Sequence, residues 1–359
     1  MSERDSDLTS IKRILLVRTD RLGDVILTLP MLPVIRKCFP NAYLAMLLRR
    51  YTGEIIEGNP YVDELLWYDN GTELTPFDDM SRTIRSKQFD AAIVVYPTLR
   101  LAWLMFRAGI PLRVGTGYRY YSILFNRRVY EHRKDAQRHE LEYNLNLLKT
   151  FDCAATEKPE FFIDIKSSTQ ARVESILTEA GVNLSREIVI IHPGSGGSAR
   201  EWSPENFGKL AAMLAREQHA QVFVTGTVAE SAQIGRVVEA SGGAARSLAG
   251  KFSLKELAAL ARMAHLFIAN STGPIHLAAA VGVPVIGLYP QHTPMSARRW
   301  GPYTDKKIVF TPDKPITCAE CTGTKGEPCA CMESITVEEV HNAAIGLLKD
   351  GQLAGKGLD

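Results

Sequence analysis

A carboxylate stands where a nucleotide-binding α/β protein usually presents bare amides to a phosphate. Asp24 follows the apolar run "RILLVR" within "RTDRLGDVILTLP", at the point where a helix should begin. Amides and the helix dipole at an N-terminus keep a carboxylate ionised, and that charge would repel a pyrophosphate. Asp24 is therefore a candidate general base, with a helix-capping aspartate as the structural alternative. Gly23 would let another molecule approach the backbone closely.

Two further loops carry residue types that bind phosphate. "HPGSGGSAREWSPENF" (192–207) places glycines, serines and Arg200 between a buried strand and a helix start. "ANSTGPIHLAAAVGVP" (269–284) places small polar residues before Pro274 at a second helix start, so two N-termini could clamp a diphosphate. A glycine-rich turn without a ligand and a structural histidine are the alternatives. The candidate phosphate ligands are Gly194, Ser195, Gly196, Ser198, Ser271, Thr272, Gly273 and His276.

Six cysteines are present, and four fall in "CAECTGTKGEPCAC" (318–331). Paired cysteines can build a tetrahedral zinc site, but the second pair is CxC rather than CxxC. Zinc binding and an ordered loop of thiols both stay open, with Cys318, Cys321, Cys329 and Cys331 as the candidate ligands. Cys38 and Cys153 stand far apart along the chain and are predicted to be isolated structural residues.

Short β-branched runs alternate with amphipathic segments, a pattern typical of parallel α/β layers. Strands are predicted at 13–18, 42–48, 62–68 and 90–96, and in a second series at 187–194, 221–226, 266–271 and 283–289. Two series predict an α/β protein with two Rossmann-like domains, bounded at 1–165 and 166–335. A helix over 336–350 could pack back on the first domain.

The chain of 359 residues is 45% apolar and 23% charged, which is ordinary for a soluble globular protein. Its polar N-terminus lacks a signal-peptide pattern, and its longest apolar stretch is too short and too broken for a spanning helix. These features predict a cytoplasmic protein. The net charge of +2 argues against a nucleic-acid binder.

The positive charge is concentrated between residues 100 and 138. This region holds nine Lys or Arg against Glu131 and Asp135, together with seven aromatic residues. Such a mixture suits a phosphorylated lipid or an anionic membrane surface, and a solvated arginine-rich loop region is the alternative.

Three motifs in this order resemble those of glycosyltransferase family 9, the lipopolysaccharide heptosyltransferases: "RTDRLGDVILTLPMLPVIRKCFP", "HPGSGGSAREWSPENFGKLA" and "NSTGPIHLAAAVGVPVIGLY". "RVGTGY", "HELEYNLNLL" and "MESITVEEV" add support. The resemblance implies a GT-B architecture, in which two Rossmann-like domains face a central cleft. The first domain would hold the acceptor and the second the nucleotide-activated sugar, in an inverting reaction that needs no metal.

The resemblance also implies roles for individual residues. Asp24 matches the family's catalytic carboxylate, and Arg200 falls where the family usually has a lysine that neutralises the departing diphosphate. Thr272 and Gly273 match its phosphate-contacting turn, whereas Ser271 replaces an aspartate that many members carry. The acceptor-side residues are expected to be Arg18, Arg21, Gly23 and Arg119.

The expected function is transfer of heptose from ADP-heptose onto the phosphorylated lipid A core of lipopolysaccharide. The enzyme would be peripheral at the inner face of the cytoplasmic membrane, touch that membrane transiently, bind no nucleic acid and need no cofactor, with structural zinc as the open alternative. Transfer of another sugar to another surface glycan is a second hypothesis. A non-catalytic sugar-nucleotide-binding protein is a third.

Overall fold

The computed structural model of the chain describes residues 11–153, 158–313 and 331–355. It divides into two compact units, one made of Met1–Arg133 and Arg138–Asp164, the other of Lys134–Gln137 and Ile165–Asp359. We call these the first and the second domain. Across the described residues, no helix combines the length and apolar composition needed to cross a bilayer.

The first domain is built on one parallel sheet with the strands β1 (Arg13–Val17), β2 (Tyr43–Leu48), β3 (Glu64–Trp67), β4 (Ala91–Val94), β5 (Leu112–Thr116) and β6 (Arg127–Val129). Their order across the sheet is β3-β2-β1-β4-β5-β6, the doubly wound order of a Rossmann-like domain. β1 lies in the middle, where Leu15 pairs with Ala45 on one side and Ala92 on the other. Its near-continuous apolar sequence fits a parallel strand buried on both faces.

The helices of the first domain are α1 (Leu22–Ile26), α2 (Met31–Cys38), α3 (Arg50–Gly53), α4 (Phe77–Ser86), α5 (Leu99–Arg107) and α6 (Glu140–Asn146). α5 begins after Thr98, whose side chain accepts a hydrogen bond from the Leu101 amide. The inner face of α5, including Leu104 and Met105, joins the core of this domain.

Cys38 and Cys153 are not isolated, as the sequence had led us to expect. Cys38 ends α2, and Cys153 follows the last helical turn of the first domain, 115 residues later. The fold brings their Cα atoms to 5.9 Å, and the two residues are joined as a disulfide. The expectation failed because it considered only separation along the chain.

The second domain repeats the same topology with the strands β7 (Ile188–His192), β8 (Gln221–Val224), β9 (Ala245–Ser247), β10 (Leu266–Asn270), β11 (Val285–Leu288) and β12 (Lys307–Phe310). All are parallel, in the order β12-β11-β10-β7-β8-β9. Its helices are α7 (Ser167–Glu179), α8 (Pro204–Glu217), α9 (Ser231–Ala240), α10 (Leu254–Met263), α11 (Gly273–Ala280), α12 (Ala297–Trp300) and α13 (Val337–Gly355). The predicted α/β class with two Rossmann-like domains is confirmed.

The last helix belongs to the second domain rather than packing back on the first. Val337, Val340, Ala344 and Leu348 of α13 lie in the hydrophobic core of the second domain. Nε1 of Trp202, a fully buried side chain, donates to the carbonyl oxygen of Ile335 at 2.9 Å just before this helix. The apolar stripe of α13 is therefore buried within its own domain.

Candidate active site

Both domains place their candidate loops at the carboxyl ends of central strands. In a doubly wound sheet the strand order reverses between two neighbours, and ligands bind outside the carboxyl ends there. In the first domain these neighbours are β1 and β4, and the loop 18–21 follows β1. In the second domain they are β7 and β10, which the loops 193–203 and 271–272 follow. All three loops singled out in the sequence thus occupy positions where such sheets bind ligands.

Asp24 is held by an arginine at the end of β1. It lies in the first turn of α1, and its Oδ1 accepts a hydrogen bond from Nη2 of Arg18. Nε of the same arginine donates to Oδ1 of Asp20 at 2.7 Å. The Arg18 side chain is fully buried, whereas 17% of the Asp24 side chain is exposed. One guanidinium therefore orients two carboxylates, and Asp24 keeps access to solvent.

Side chains of α6 fix this guanidinium in turn. Nη1 of Arg18 donates to Oδ1 of Asn144 at 3.3 Å and lies 3.8 Å from Oε1 of Glu140. Nη1 of Arg133 approaches the same two oxygens, at 3.1 Å and 2.5 Å. Nδ2 of Asn144 donates to the carbonyl oxygen of Leu27, just after α1, at 3.0 Å. The network therefore ties Arg18 and the end of α1 to one buried helix.

Burial and charge together set the protonation of this cluster. Burial would lower the pKa of Arg18, but Asp20, Asp24 and Glu140 raise it above its ordinary value, so Arg18 remains a cation. Burial raises the pKa of Asp20 to about 7, with a contribution from the negative charge of Asp24 and against the opposing effect of Arg18. The pKa of Asp20 therefore lies near neutral pH.

Arg18 and Asp24 can be singled out from the sequence, but their contacts with four other residues cannot: Asp20, Arg133, Glu140 and Asn144. A signal was present in "HELEYNLNLL", because Glu140 and Asn144 are four residues apart on one helix face. Their side chains are 1% and 0% exposed. Two buried polar residues at helical spacing indicate a polar partner inside the domain, but only the fold shows that this partner is Arg18.

The other predicted acceptor-side residues lie in two places. Gly23 is buried beside Asp24 in the first turn of α1, and Arg21 is exposed at its N-cap. Arg119 is exposed and precedes a 3-10 turn at Tyr120–Leu124. This turn follows β5, which β4 separates from β1 in the sheet. Arg119 therefore belongs to another loop at the same sheet edge.

Asn270 joins the two candidate phosphate loops of the second domain. Its Nδ2 donates to the carbonyl oxygen of Pro193 at 2.7 Å, and its Oδ1 accepts from the amide of Trp202 at 3.0 Å. Oγ of Ser198 lies 3.0 Å from the carbonyl oxygen of Ser271. Asn270 is fully buried at the end of β10. These contacts place the loops after β7 and β10 side by side.

The glycines and Ser195 shape the first of these loops. Gly196 and Gly197 have φ angles of 55° and 71°, in the left-handed region that favours glycine. The amide of Ser195 donates to Oε1 of Glu201 at 2.6 Å, and its hydroxyl donates to the carbonyl oxygen of Ala199 at 3.2 Å. Ser195 is buried with both donors engaged inside the loop. Its role here is to hold the loop in shape.

Charged and titratable side chains surround the start of this loop. A Cβ atom on Gly194 would collide with the carboxylate of Glu230. A glycine at this position therefore allows the Glu230 carboxylate to lie close to the backbone of the loop. Burial lowers the pKa of His192 to about 4, and its Nδ1 lies 3.0 Å from Oγ1 of Thr225. Arg200, six residues after Gly194, brings a positive charge to the loop and is 8% exposed.

The two helix N-termini predicted to clamp a diphosphate are not equivalent. Ser203 and Pro204 begin α8 as predicted, but the carboxylate of Glu333 occupies that end. Oε1 of Glu333 accepts from the Ser203 amide at 3.0 Å, and Oε2 accepts from Nδ2 of Asn206 at 2.8 Å. The start of α8 therefore already faces a carboxylate of the protein, which disfavours a second anion there.

The N-terminus of α11 keeps the predicted arrangement. Thr272 is the N-cap, its side chain makes no capping hydrogen bond, and Gly273 and Pro274 form the first turn. His276 lies in the same turn and is 5% exposed. The amides that begin this helix and the loop 193–203 are the parts of the second domain best suited to hold phosphate.

Of the four cysteines considered as zinc ligands, only Cys331 lies among the described residues, where it is half-buried. Cys318, Cys321 and Cys329 lie outside them. In the part of the chain that is described, no group of three or more His, Cys, Asp or Glu residues is placed to hold a metal ion.

A family model described as glycosyltransferase family 9 (heptosyltransferase) matches residues 78–327, more than half of the chain. The chain belongs to glycosyltransferase family 9. The resemblance noted from the three motifs is confirmed, and membership identifies the protein as a glycosyltransferase.

Solved and curated relatives agree with this assignment. A family 9 glycosyl transferase from Veillonella parvula is 25% identical, with a TM-score of 0.81 over 94% of this chain and 97% of that one. The Escherichia coli ADP-heptose lipopolysaccharide heptosyltransferase II is 21% identical, with a TM-score of 0.77 over 95% and 99%. Lipopolysaccharide heptosyltransferase 3 of Escherichia coli is 24% identical over 80% of this chain and 85% of its own. The predicted GT-B fold class is confirmed.

Proposed function

We propose that this glycosyltransferase moves heptose from ADP-heptose onto the inner core of lipopolysaccharide. The acceptor would be a phosphorylated lipid A core, and the enzyme would work as a peripheral protein at the cytoplasmic face of the inner membrane. Support comes from the family and from relatives named for this transfer. The basic and aromatic region 100–138 suits such an acceptor.

The proposal rests above all on Asp24, which a fully buried arginine orients at the ligand-binding edge of the first sheet. Asp24 would take the proton from an acceptor hydroxyl while that oxygen forms a bond to the anomeric carbon. The bond from this carbon to the diphosphate breaks at the same time, and its electron pair leaves with ADP. Attack opposite the leaving group inverts the anomeric configuration.

We propose that groups of the second domain stabilise the departing diphosphate and that no metal ion takes part. Arg200 supplies a full positive charge, and backbone amides within residues 194–200 and in the first turn of α11 supply hydrogen-bond donors. Ser198, Thr272 and Gly273 lie on these two segments, which Asn270 holds together. His276, neutral or protonated, could donate one further hydrogen bond.

Ser271 favours a second candidate, transfer of a different nucleotide-activated sugar. Many heptosyltransferases carry an aspartate here, whereas this chain has a buried serine. Loss of the carboxylate would remove a contact to the donor sugar or its nucleotide. The mechanism centred on Asp24 would be the same for either sugar.

One set of measurements tests base, donor and reaction together. Calorimetry with ADP, UDP and GDP should show a clear preference for ADP. Asp24→Ala should bind ADP like the wild type yet transfer heptose to truncated lipopolysaccharide about 100- to 10,000-fold more slowly, the usual contribution of a general base. Asp78→Ala is the matched control, because Asp78 is an exposed aspartate in the first turn of α4.

The outcomes separate the hypotheses. Wild-type turnover by Asp24→Ala would reduce Asp24 to a helix cap and overturn the proposed mechanism. Preference for UDP or GDP would support the second candidate. Absence of nucleotide binding in the wild type would contradict both sugar-transfer proposals.

A further inference from the structure

Exposed large apolar side chains are concentrated in one stretch of the first domain. In the described structure, the second domain exposes only two, Leu184 and Val228. Between residues 96 and 130 the first domain exposes eight: Tyr96, Leu99, Trp103, Phe106, Tyr118, Tyr120, Ile123 and Tyr130. Scattered apolar residues are normal on a protein surface, but a local concentration of this size marks an interaction site.

Five of these residues sit on two regular elements that pack together. Leu99, Trp103 and Phe106 recur at helical spacing on the outer face of α5, and the last two rings stack at 5.5 Å. The adjoining turn Tyr120–Leu124 exposes 77% of Tyr120 and 76% of Ile123. We call these five residues the apolar face.

Two hydrogen bonds anchor the turn, one to the segment just before α5 and one to a side chain of β5. The hydroxyl of Tyr121 donates to the carbonyl oxygen of Pro97 at 2.6 Å. Arg113 donates to the carbonyl oxygen of Leu124 at 2.7 Å, and its guanidinium lies 5.4 Å from the ring of Phe106. The apolar face is therefore presented by a fixed scaffold, so little ordering is needed when it meets a partner.

The segment of chain that carries the apolar face has charges of one sign. Residues 91–130 contain six arginines and no aspartate or glutamate, although the whole chain has a net charge of only +2. Arg107, Arg119 and Arg128 are exposed. The rest of the chain is therefore net acidic, and the positive charge coincides with the exposed apolar side chains.

We propose that the apolar face and its exposed arginines dock on the headgroup region of an anionic phospholipid bilayer. Aromatic rings and leucine or isoleucine side chains insert at the boundary between headgroups and acyl chains, while arginines bind the lipid phosphates. A second copy of this chain fits less well, because a two-fold contact would bring arginines against arginines.

This inference extends the proposed function, from which it takes only that the acceptor is a lipid. Docking would hold the first domain at the surface where such an acceptor resides. Vesicle binding is measured without donor or acceptor, so the two proposals can fail separately. Sugar transfer to a detergent-dispersed acceptor by a chain that ignores vesicles would overturn docking and leave the transfer proposal standing.

Co-sedimentation with vesicles tests the docking surface. The full chain should bind vesicles of phosphatidylethanolamine with phosphatidylglycerol, should bind phosphatidylcholine vesicles weakly, and should release as salt is raised. The double variant Trp103→Ser and Phe106→Ser should bind the anionic vesicles at least about tenfold more weakly. Arg107→Gln should weaken binding about fivefold.

The matched control is the double variant Leu184→Ser and Val228→Ser, which removes exposed apolar side chains from the second domain and should bind vesicles like the wild type. ADP affinity and the unfolding temperature of each variant report whether it folds. Equal loss in this control, unchanged binding by the Trp103 and Phe106 variant, or no vesicle binding by the wild type would overturn the proposal. If the wild type forms a dimer and does not bind vesicles, and the Trp103 and Phe106 variant is a monomer, the apolar face is a self-association surface instead.

Discussion

Two carboxylates share the guanidinium of Arg18, and their surroundings give them different properties. Asp24 lies in the first turn of a helix, where backbone amides favour a negative charge. Asp20 precedes the helix, and burial raises its pKa to about 7. A change in the protonation of Asp20 therefore alters the charge next to the proposed base.

Asp20 should make the stability of the protein fall as the pH rises. Its folded-state pKa, about 7, is above the ordinary value of 3.8, so the folded protein binds this proton more tightly than the unfolded chain does. The stabilising contribution is complete below the ordinary pKa and is lost as the pH rises through the folded-state value. Over that interval the loss is about 1 kcal/mol per pH unit.

Urea unfolding between pH 5 and pH 8, which is from about two pH units below the folded-state pKa to about one above it, would test this. Asp20→Asn lacks the titrating group and should lose less stability than the wild type as the pH rises. Asp78→Asn, an exposed aspartate of α4, should follow the wild type. Parallel curves for the wild type and Asp20→Asn would show that Asp20 titrates as in the unfolded chain.

The candidate site residues on the loops could be predicted from the sequence, but the side chains that hydrogen-bond to these segments could not. Asp24 and the glycines after β7 stand out because helix starts and glycine runs have local signatures. Glu333 and Asn144 do not, because each acts on a segment more than a hundred residues away. The sequence therefore predicted that α8 offers a free N-terminus, whereas a distant carboxylate caps it.

At the scale of elements, all eight strands predicted from the sequence are present: β1 to β4, β7, β8, β10 and β11. These are short apolar runs, and most of them lie in the interior of the sheets. The four strands that were missed are β5, β6, β9 and β12. β6, β9 and β12 are edge strands of three or four residues with arginine, serine or lysine in them. Pairing with a neighbour, rather than sequence, defines such strands.

Close packing of α8 against α9 depends on a glycine that the pattern of apolar residues does not reveal. A Cβ atom on Gly208 would lie 2.7 Å from the carbonyl oxygen of Val237 and 2.9 Å from the carbonyl carbon of Ala240. Gly208→Ala should therefore lower the free energy of unfolding by about 1–3 kcal/mol, because backbone atoms of α9 must move.

Gly235→Ala is the control for helix propensity. Gly235 is exposed on α9, with no atom within 4 Å of the added Cβ. This variant should be unchanged or more stable, by up to about 1 kcal/mol, since alanine is the better helix former. Urea unfolding gives the free energy of unfolding of both variants for comparison with the wild type. A Gly208→Ala protein as stable as the wild type would mean that α8 and α9 separate easily.

At the scale of the whole molecule, the same topology presents different functional groups in the two domains. Each sheet has the same strand order, and each places a loop after its central strand. In the first domain that loop leads to Asp24, and in the second it contains three glycines and Arg200. A negative charge suits activation of a hydroxyl, whereas amides and an arginine suit a diphosphate. The repeated fold is therefore compatible with a division of labour between acceptor and donor.

This division predicts where ADP protects the chain from hydrogen exchange. ADP should slow amide exchange at 194–200 and 272–276 in the second domain, because the proposed phosphate donors lie there. Exchange at 18–24 should not change. Arg200→Ala should reduce the protection at the same ADP concentration, whereas Arg216→Ala, exposed in the last turn of α8, should retain it.

Mass spectrometry of the full chain, with and without ADP, resolves these segments. Protection at 18–24 without protection in the second domain would assign the diphosphate to the loop that carries Asp24, contrary to the repulsion expected between two anions. Equal protection in Arg200→Ala and the wild type would remove this arginine from the phosphate site. The predicted pattern would instead show that two copies of one topology bind different ligands because their central loops present different functional groups, a carboxylate in one and backbone amides with an arginine in the other.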